Sequence, residues 1–366
     1  MSIFTSHLNS AASILKIYNG DEPFHLFIKK YFASNKKYGS KDRKQIASLC
    51  YNYFRLGNAA NNISAEERIV LGTSVCEGVR QLQSPDTLIK NIFPFRDELS
   101  GGINADKFNL SFLIQPKMYL RIRPGNEKRV TGKLSGAGIE YEKIAENCIA
   151  LANASKLNSI IELDKEAVVQ DYNSQRVGEF MLVPGRQPFA QVWDCCAASG
   201  GKSIMVYDIN PNIELTVSDK RESILQNLKK RFATAGIKKY LSFVADLATG
   251  NGLPATNKFD LIICDVPCTG SGTWSRTPEQ LFYFKKEMIE KYAVLQKKIC
   301  ENVIPHLKPG GNFLYITCSV FKKENEDAVK YIQKKFNLQL QKKELLKGYE
   351  IKADTMFAAL FTAPLS

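Results

Sequence analysis

Strand-like and helix-like segments alternate in the second half of the chain, and the strand-like segments end in acidic or thiol side chains. Short apolar runs predict strands at residues 191–194, 214–219, 241–246, 259–265 and 312–318, with amphipathic helices between them. This alternation is typical of the α/β class with a doubly wound parallel sheet. Ligands of such sheets bind outside the carboxyl ends of the strands. The strand-terminal residues that we expect along that edge are Asp194, Asp219, Asp246, Asp265 and Cys318.

The chain before this pattern divides into two further predicted regions. Residues 1–110 carry apolar side chains at helical spacing, as in Phe24, Ile28 and Phe32, and predict a helical region. Residues 111–185 mix strand-like runs at 119–123, 160–163 and 167–170 with a helical stretch, which predicts a small α+β unit. We therefore predict three domains, at 1–110, 111–185 and 186–366.

The charge balance favours a polyanionic partner. The chain has 366 residues with 50 Lys+Arg against 37 Asp+Glu, a formal net charge of +13. A basic run with interleaved tyrosines lies in the helical region, at residues 29–44. Taken alone, such a run is more often a solvated helix face, and the alternative is a surface that contacts nucleic-acid phosphates.

Composition also narrows the chemistry and the location. Nine cysteines without a CxxC pair and only three histidines argue against a disulfide scaffold, a zinc ribbon or a histidine-based site, so we expect no metal. The longest apolar stretches are far shorter than the ~20 residues that span a bilayer, and no secretory signal is recognised. We expect a cytoplasmic protein without a membrane partner.

The turn after the first predicted strand is rich in small residues and leads into a helix. Residues 194–203 read DCCAASGGKS. Small side chains let a ligand approach the backbone, and the helix N-terminus offers N–H groups to a carboxylate or phosphate. Cys196 stands where a phosphate-binding loop has its first glycine, and GxGxxG is not matched either. A dinucleotide or nucleoside triphosphate is therefore disfavoured.

Two aspartates are placed to bind an adenosine. Asp219 could accept hydrogen bonds from both ribose hydroxyls, and Asp246 could accept one from the adenine amino group. Each aspartate alone is more often a turn or cap residue. Their occurrence at successive strand ends beside the glycine turn favours a cofactor site.

Two thiols and a carboxylate converge on the same edge. Cys268 lies in the glycine-rich loop that follows Asp265, and Cys318 ends the next strand, whereas Cys264 and Cys300 are expected to be inert core residues. A thiolate that adds to carbon 6 of a pyrimidine makes carbon 5 nucleophilic enough to take a methyl group from a sulfonium donor. An acid at ring nitrogen 3 and a base for the carbon 5 proton complete that chemistry.

Three motifs resemble signatures of the Sun/RsmB-type RNA (cytosine-5)-methyltransferases, including bacterial members. Residues 194–203 resemble D-x-C-A-A-P-G-G-K-[ST], residues 265–272 resemble D-x-P-C-[ST]-G-x-G, and residues 317–319 match T-C-S. Residues 324–326 also follow the second cysteine as in relatives, and residues 39–43 resemble the G-S-[RK]-D-R stretch of a NusB-like domain. The resemblance implies a Rossmann-like methyltransferase sheet, preceded by a helical NusB-like region and a small α+β RNA-recognition unit.

The resemblance also implies a role for each matched residue. Cys318 is the expected nucleophile, Cys268 assists proton removal or product release, and Asp265 contacts the base and the cofactor. The residues expected to hold S-adenosylmethionine are Cys196, Ala197, Ala198, Ser199, Gly200, Gly201, Lys202, Asp219, Asp246 and Asp265. Whether Lys202 serves the methionine carboxylate or the base stays open. The residues expected to contact RNA are Lys36, Lys37, Lys41, Arg43, Arg121, Arg123 and Arg276.

These observations predict an enzyme that methylates carbon 5 of a cytosine in RNA through a covalent cysteine–base adduct. Ribosomal RNA is the favoured substrate, transfer RNA is an alternative, and a monomer is expected. A catalytically silent RNA-binding or ribosome-assembly factor is disfavoured because both thiols are present. A methyltransferase for a small molecule or a protein would leave the paired thiols without a purpose.

Overall fold

The computed structural model describes residues 3–78, 87–182, 189–253 and 258–365, and the chain forms two compact units. The first unit comprises Met1–Pro116 and Thr273–Lys286, and the second comprises Lys117–Gly272 and Glu287–Ser366. The predicted boundary between residues 185 and 186 lies outside the described residues. Within the described ranges, no helix is long and apolar enough to cross a membrane.

The first unit is helical. Its helices are Ile3–Ile17, Phe24–Ser34, Ser40–Arg55, Ala65–Gly78, Thr87–Lys90, Ala105–Ser111 and Pro278–Phe282, with a 3₁₀ turn at Arg96–Glu98. Phe24, Ile28 and Phe32 recur every four residues, so they share one helix face and are buried in an aromatic core. The segment 273–286 joins this core through Glu279, whose carboxylate accepts the N–H of Phe24 at 3.2 Å.

The second unit begins with a small antiparallel sheet. Its strands are β1 (Met118–Ile122), β2 (Glu142–Ala145), β3 (Cys148–Leu151) and β4 (Ala167–Val169), in the spatial order β2-β3-β1-β4. The helix Glu127–Gly136 buries Val130 and Leu134 against Leu120 and Ile149. The run at 160–163 is predicted as a strand but forms none: it begins with a turn, and its backbone pairs only at Leu163, in an isolated bridge to Ala167.

The larger sheet of the second unit has seven strands. They are β5 (Gln191–Asp194), β6 (Glu214–Asp219), β7 (Tyr240–Val244), β8 (Phe259–Asp265), β9 (Leu307–Thr317), β10 (Gln339–Leu346) and β11 (Met356–Thr362). The spatial order is β10-β11-β9-β8-β5-β6-β7. Pairing is parallel from β9 to β7, and β11 runs antiparallel to both of its neighbours.

Helices cover both faces of this sheet, as the sequence predicts for a doubly wound fold. The helices are Gly201–Ile209, Glu222–Ala235, Glu287–Val303 and Glu326–Phe336, with shorter turns of helix at Tyr172–Arg176, Val177–Phe180, Ser271–Thr273 and Ile304–His306. Successive strand residues alternate between two buried clusters: Val192 packs with Ile204, whereas Trp193 packs with Val303. The predicted fold class is confirmed.

The connections of the sheet identify where a ligand site is expected. From β5 the chain moves outward to β6 and β7, then returns to the other side of β5 to form β8 and β9. The strand order therefore reverses between β5 and β8, and a crevice opens at such a switch point beyond the carboxyl ends of the strands. We call this end of the large sheet the carboxyl edge, formed by the residues that follow β5, β6, β8 and β9.

Candidate active site

The turn after β5 is held open by two left-handed backbone conformations. Ala198 has a φ of 46° and Gly200 a φ of 85°. A Cβ on Gly200 would lie 2.7 Å from the Phe232 ring, so this position requires glycine. A Cβ on Gly201 would meet no atom within 4 Å. The space beside Gly201 at the start of this helix is therefore open, which a cofactor carboxylate approaching the helix N-terminus would need.

Asp194, the last residue of β5, supports this turn through a hydrogen bond. The hydroxyl of Ser203 donates to its Oδ2 at 2.6 Å, and among the described residues its buried Oδ1 has no hydrogen-bond partner. Burial raises the pKa of Asp194 to about 7. The residue is therefore a buried support of the turn at the end of β5.

Asp219 and Asp246 differ in how they are placed. Asp219 ends β6, is 7% exposed, and accepts the N–H of Ala198 at 3.1 Å and that of Arg221 at 2.9 Å. Asp246 lies two residues beyond β7, accepts the N–H of Ala248 at 3.1 Å and pairs with Lys220 at 2.8 Å. The prediction that β7 ends at Asp246 is wrong, because Asp246 turns away from β6 to form a bridge with Asn251.

Lys202 and Asp265 form an ion pair across the switch point. Nζ of Lys202 lies 2.6 Å from Oδ2 of Asp265. Burial of Lys202 disfavours its charge, but the attraction of Asp265 outweighs this and raises the pKa of the ammonium above its usual value. About 30% of the Asp265 side chain is exposed, so the pair is accessible at the carboxyl edge.

The thiols of Cys268 and Cys318 meet at this edge. Their sulfur atoms are 3.3 Å apart, and both side chains are half-buried. The hydrogen bond between the thiols, together with burial, holds the pKa of Cys268 well above its usual value. The structure therefore brings Cys268 and Cys318 together, and Lys202, the ion-pair partner of Asp265, interacts with Cys318.

Gly272 fixes the loop of Cys268 against the loop of Cys318. Its N–H donates to the Cys318 carbonyl at 2.8 Å, and its carbonyl accepts from the N–H of Thr355 at 2.9 Å. A Cβ at this position would lie 1.9 Å from the Thr355 carbonyl oxygen. Only glycine allows this approach, so the last glycine of the motif sets the distance between the two loops.

Three further thiols cluster beside the site. The sulfur atoms of Cys195, Cys196 and Cys264 all lie within 4.8 Å of one another. Hydrogen bonds from Cys195 and Cys264 lower the pKa of Cys196 to about 6. Cys195 and Cys264 are completely buried, which holds their pKa well above its usual value, so they are thiols and the cluster lacks the set of thiolates that a soft metal ion requires.

The residues predicted to contact RNA fall into two groups. Lys36, Lys37 and Lys41 are exposed on the first unit, where Arg43 and Arg276 are half-buried. Arg121 and Arg123 do not join them. The structure does not support RNA contact for these two arginines, because both guanidinium groups point inward and pair with Asp208 at 2.6 and 2.7 Å. Sequence cannot distinguish a buried arginine pair from a basic surface.

A buried carboxylate that sequence reasoning left without a role links the two thiol loops. Glu324 is 0% exposed and accepts hydrogen bonds from Thr269 and Ser319, the residues that follow Cys268 and Cys318. In the sequence, only the resemblance of residues 324–326 to relatives pointed to Glu324, and that resemblance did not indicate a function for it.

The chain is similar to known methyltransferases. The family model described as 16S rRNA methyltransferase RsmB/F matches residues 180–362. Ribosomal RNA small subunit methyltransferase B of Xanthomonas campestris pv. campestris is 28% identical over 204 residues, which cover 52% of this chain and 45% of that protein. The same enzyme of Shewanella oneidensis is 31% identical over 51% of this chain and 43% of its own length. The chain thus spans about half the length of the curated relatives it matches.

Solved structures share the fold. The crystal structure of PH0851 covers 99% of both chains with a TM-score of 0.74 at 18% identity. The structure of NSun6 from Pyrococcus horikoshii with SFG covers 73% of this chain and 96% of that chain, with a TM-score of 0.62 at 15% identity. At these identities the likeness concerns the architecture alone.

Proposed function

The chain belongs to the 16S rRNA methyltransferase RsmB/F family, and on this premise we propose that it transfers a methyl group from S-adenosylmethionine to carbon 5 of a cytosine in ribosomal RNA. The sequence-based recognition of the family is confirmed by the family model. The site residue roles, the position of methylation and the RNA substrate remain parts of the proposal.

The turn after β5 supports the cofactor assignment. The open space over Gly201 suits the amino-acid tail of the cofactor, and the acidic side chain at the end of β6 suits its ribose. The exposed part of Asp265 suits the charged donor centre. The residues proposed to hold S-adenosylmethionine are Cys196 to Lys202, Asp219, Asp246 and Asp265. Its sulfonium would supply the methyl group. NSun6, which shares the fold, was solved with SFG, an analogue of S-adenosylmethionine.

The charges around the thiols favour Cys318 as the nucleophile. The Lys202 ammonium interacts with Cys318, whereas the pKa of Cys268 is held high by its hydrogen bond to Cys318 and by burial. The thiolate of Cys318 would add to carbon 6 of the cytosine, and the electron pair would move towards carbon 5, which takes the methyl group.

The remaining groups would complete the reaction. The Lys202–Asp265 pair is proposed to hold ring nitrogen 3 with a hydrogen bond and to stabilise the charge that develops in the ring. After methylation, loss of the carbon 5 proton restores the double bond between carbons 5 and 6, and the bond from carbon 6 to the Cys318 sulfur breaks. Cys268 is proposed to assist in one of two ways: as a thiolate it would accept the carbon 5 proton, and as a thiol it would give its proton to the departing Cys318 sulfur, with the carbon 5 proton then passing to water.

The first unit is proposed to bind RNA. Lys36, Lys37 and Lys41 are exposed on its surface, and neutralisation of phosphates by lysines releases counterions. This gives the helical region the role that its resemblance to a NusB-like domain implies. The small sheet β1–β4 is proposed as an RNA-recognition unit, through surfaces other than Arg121 and Arg123.

The observation that carries the proposal is the 3.3 Å approach of the Cys268 and Cys318 sulfur atoms at the switch point. The test incubates the purified chain with S-adenosylmethionine carrying a labelled methyl group and with 16S ribosomal RNA or transfer RNA, followed by mass analysis of the nucleosides. We expect 5-methylcytidine in ribosomal RNA, none with Cys318→Ala, and full activity with Cys76→Ala, a cysteine of the first unit. Label in another nucleoside, or activity of Cys318→Ala, would refute the mechanism; label in transfer RNA alone would change the substrate.

A further inference from the structure

Glu324 is buried between the two loops that carry the thiols. Its Oε2 accepts the N–H of Thr269 and the side-chain amide of Gln296, both at 2.9 Å. Its Oε1 accepts the hydroxyls of Thr269 and Ser319, both at 2.6 Å. Four donors thus converge on the two oxygens of one side chain. This is the number of hydrogen bonds that an ionised carboxylate can accept, and these bonds oppose the burial that raises the pKa of Glu324.

Each donor belongs to a segment that positions a thiol. Thr269 follows Cys268, and Ser319 follows Cys318. Gln296 lies on the helix Glu287–Val303 and also donates to the carbonyl of Pro267, the residue before Cys268, at 3.1 Å. The carboxylate is therefore the common partner of both cysteine loops and of the helix behind them.

Asn325 holds the other side of the Cys318 loop. Its Oδ1 accepts the hydroxyl of Thr317 at 2.6 Å, and its amide donates to the carbonyl of Ser319 at 2.9 Å. These two bonds hold the residues on either side of Cys318. With Cys318 fixed by Asn325, the bonds of Glu324 to Thr269 fix where the Cys268 loop lies relative to it.

The charge of Glu324 also acts on Cys268. The other titratable groups that face this site are Tyr292 on the helix Glu287–Val303, Tyr315 on β9 and Lys202 at the switch point. Both tyrosine hydroxyls have a raised pKa because of burial and are neutral at physiological pH. Glu324 acts on Cys268, and Lys202 acts on Cys318, so the charges on either side of the thiol pair have opposite signs.

We propose that Glu324 is a positioning residue of the thiol pair: its carboxylate, bonded to both cysteine loops, sets the separation of Cys268 and Cys318 and places its charge on the Cys268 side. This inference rests on the proposed function, because it divides the two thiols between nucleophile and proton-handling group. It adds a residue whose side chain touches neither RNA nor cofactor. Its structural part can be measured without methyl transfer.

The charge is tested by alkylation of the thiols across a pH series in the full chain. Wild type, Glu324→Gln and the control Glu287→Gln, an exposed residue at the start of the same supporting helix, are treated with iodoacetamide, and Cys268 and Cys318 are followed by peptide mass analysis. We expect the midpoint pH of Cys268 alkylation to fall in Glu324→Gln and to stay unchanged in the control. An unchanged midpoint in a folded Glu324→Gln protein would overturn the proposal.

The positioning is tested with Thr269→Val and Thr269→Ser, which leave Glu324 intact in case Glu324→Gln does not fold. Valine removes one hydroxyl donor, and serine restores it. Diamide, which is reduced to a hydrazine as two thiols become a disulfide, reports the approach of the two sulfur atoms. We expect disulfide formation to be several-fold slower in Thr269→Val and close to wild type in Thr269→Ser. Equal rates in all three proteins would refute the positioning role.

The same variants separate this inference from the proposed function. If the chain methylates cytosine, Thr269→Val should lower kcat by on the order of tenfold to a hundredfold with little change in the KM for RNA. Shifted alkylation and slower disulfide formation without any methylation by wild type would uphold Glu324 as the positioning residue and refute the methyltransferase proposal. Methylation by wild type, together with an unshifted alkylation midpoint in Glu324→Gln, would uphold the methyltransferase proposal and refute the role of Glu324.

Discussion

The Cys268 and Cys318 sulfur atoms lie 3.3 Å apart at the end of the sheet where the strand order reverses. If Cys318 adds to the base and Cys268 assists release, Cys268→Ala should accumulate a covalent complex between protein and RNA. Cys318→Ala should form none and should be inactive. Gel electrophoresis under denaturing conditions, with labelled RNA and S-adenosylmethionine, measures the complex. Complex formed by Cys318→Ala alone would exchange the two roles, and its absence from both variants would remove them.

The ion pair of Lys202 and Asp265 makes a separate prediction about protonation. Asp265 outweighs the burial of Lys202 and raises the pKa of its ammonium. In Asp265→Asn only the weaker interactions with Asp194 and Cys318 would oppose burial, so we expect the pKa of Lys202 to fall. Nuclear magnetic resonance of ¹³C-methylated lysines across a pH titration measures this change. The matched control is Asp260→Asn, which breaks the ion pair between Asp260, a residue of β8, and Lys308. This variant should leave the pKa of Lys202 unchanged.

The sequence predicted the central strands well, because their local pattern and their tertiary environment agree. Residues 191–194, 214–219 and 259–265 are short apolar runs that end in an aspartate, and the structure gives strands with these bounds. The segment 160–163 has a similar local pattern but forms only an isolated bridge at Leu163. A strand requires a partner for its backbone, and that requirement is not visible in four residues.

The sequence predicted the residues of the candidate site only where a reactive side chain lies at or just after the end of a predicted strand. Asp265, Cys268 and Cys318 could be selected because parallel strands bring their carboxyl ends together. The inward pairing of Arg121 with Asp208 and the hydrogen bonds of Glu324 to Thr269 join residues far apart in sequence. Such contacts depend on how helices and strands pack. From residue type alone, Arg121 was therefore predicted to lie on an RNA-binding surface, and Glu324 was given no role.

Cofactor affinity should depend on Asp219 more than on its ion-pair partner. Asp219→Ala removes the proposed acceptor for ribose hydroxyls and the support of the Ala198 N–H, and we expect affinity for S-adenosylmethionine to weaken by about 1–3 kcal/mol. Arg221 is 60% exposed, so Arg221→Ala should change the affinity by less than ~1 kcal/mol. Calorimetric titration measures both. Equal affinities of wild type and Asp219→Ala would exclude Asp219 from the cofactor site.

The arginine pair should contribute to stability. Asp208 is 7% exposed and is shared by Arg121 and Arg123, so Asp208→Asn would leave two buried guanidinium groups without a counter-ion. We expect the free energy of unfolding to fall by about 3–5 kcal/mol, as measured by urea denaturation. Glu162→Gln, which breaks the exposed ion pair with Lys165, should change it by less than ~1 kcal/mol. A loss as small as that of the control would show that the buried pair is dispensable.

Asp194 should make stability depend on pH in an unusual direction. Burial raises its pKa to about 7, compared with about 3.9 for a carboxyl group in an unfolded chain. Between these values the native state holds a proton that the unfolded chain releases. The contribution of Asp194 is therefore complete below about pH 4 and is lost as the pH rises through about 7.

Asp194→Asn isolates this contribution. Asparagine offers an acceptor to the Ser203 hydroxyl and cannot ionise, so the cost of a buried carboxylate disappears in the variant. The free energy of unfolding of the variant, relative to wild type, should therefore increase with pH, by an amount on the order of 1–4 kcal/mol between weakly acidic and weakly alkaline solution. Urea denaturation of both proteins across this range measures the difference. A difference independent of pH would mean that Asp194 keeps the same protonation state in the folded and unfolded chain, and the buried carboxyl would then have no influence on how stability responds to pH.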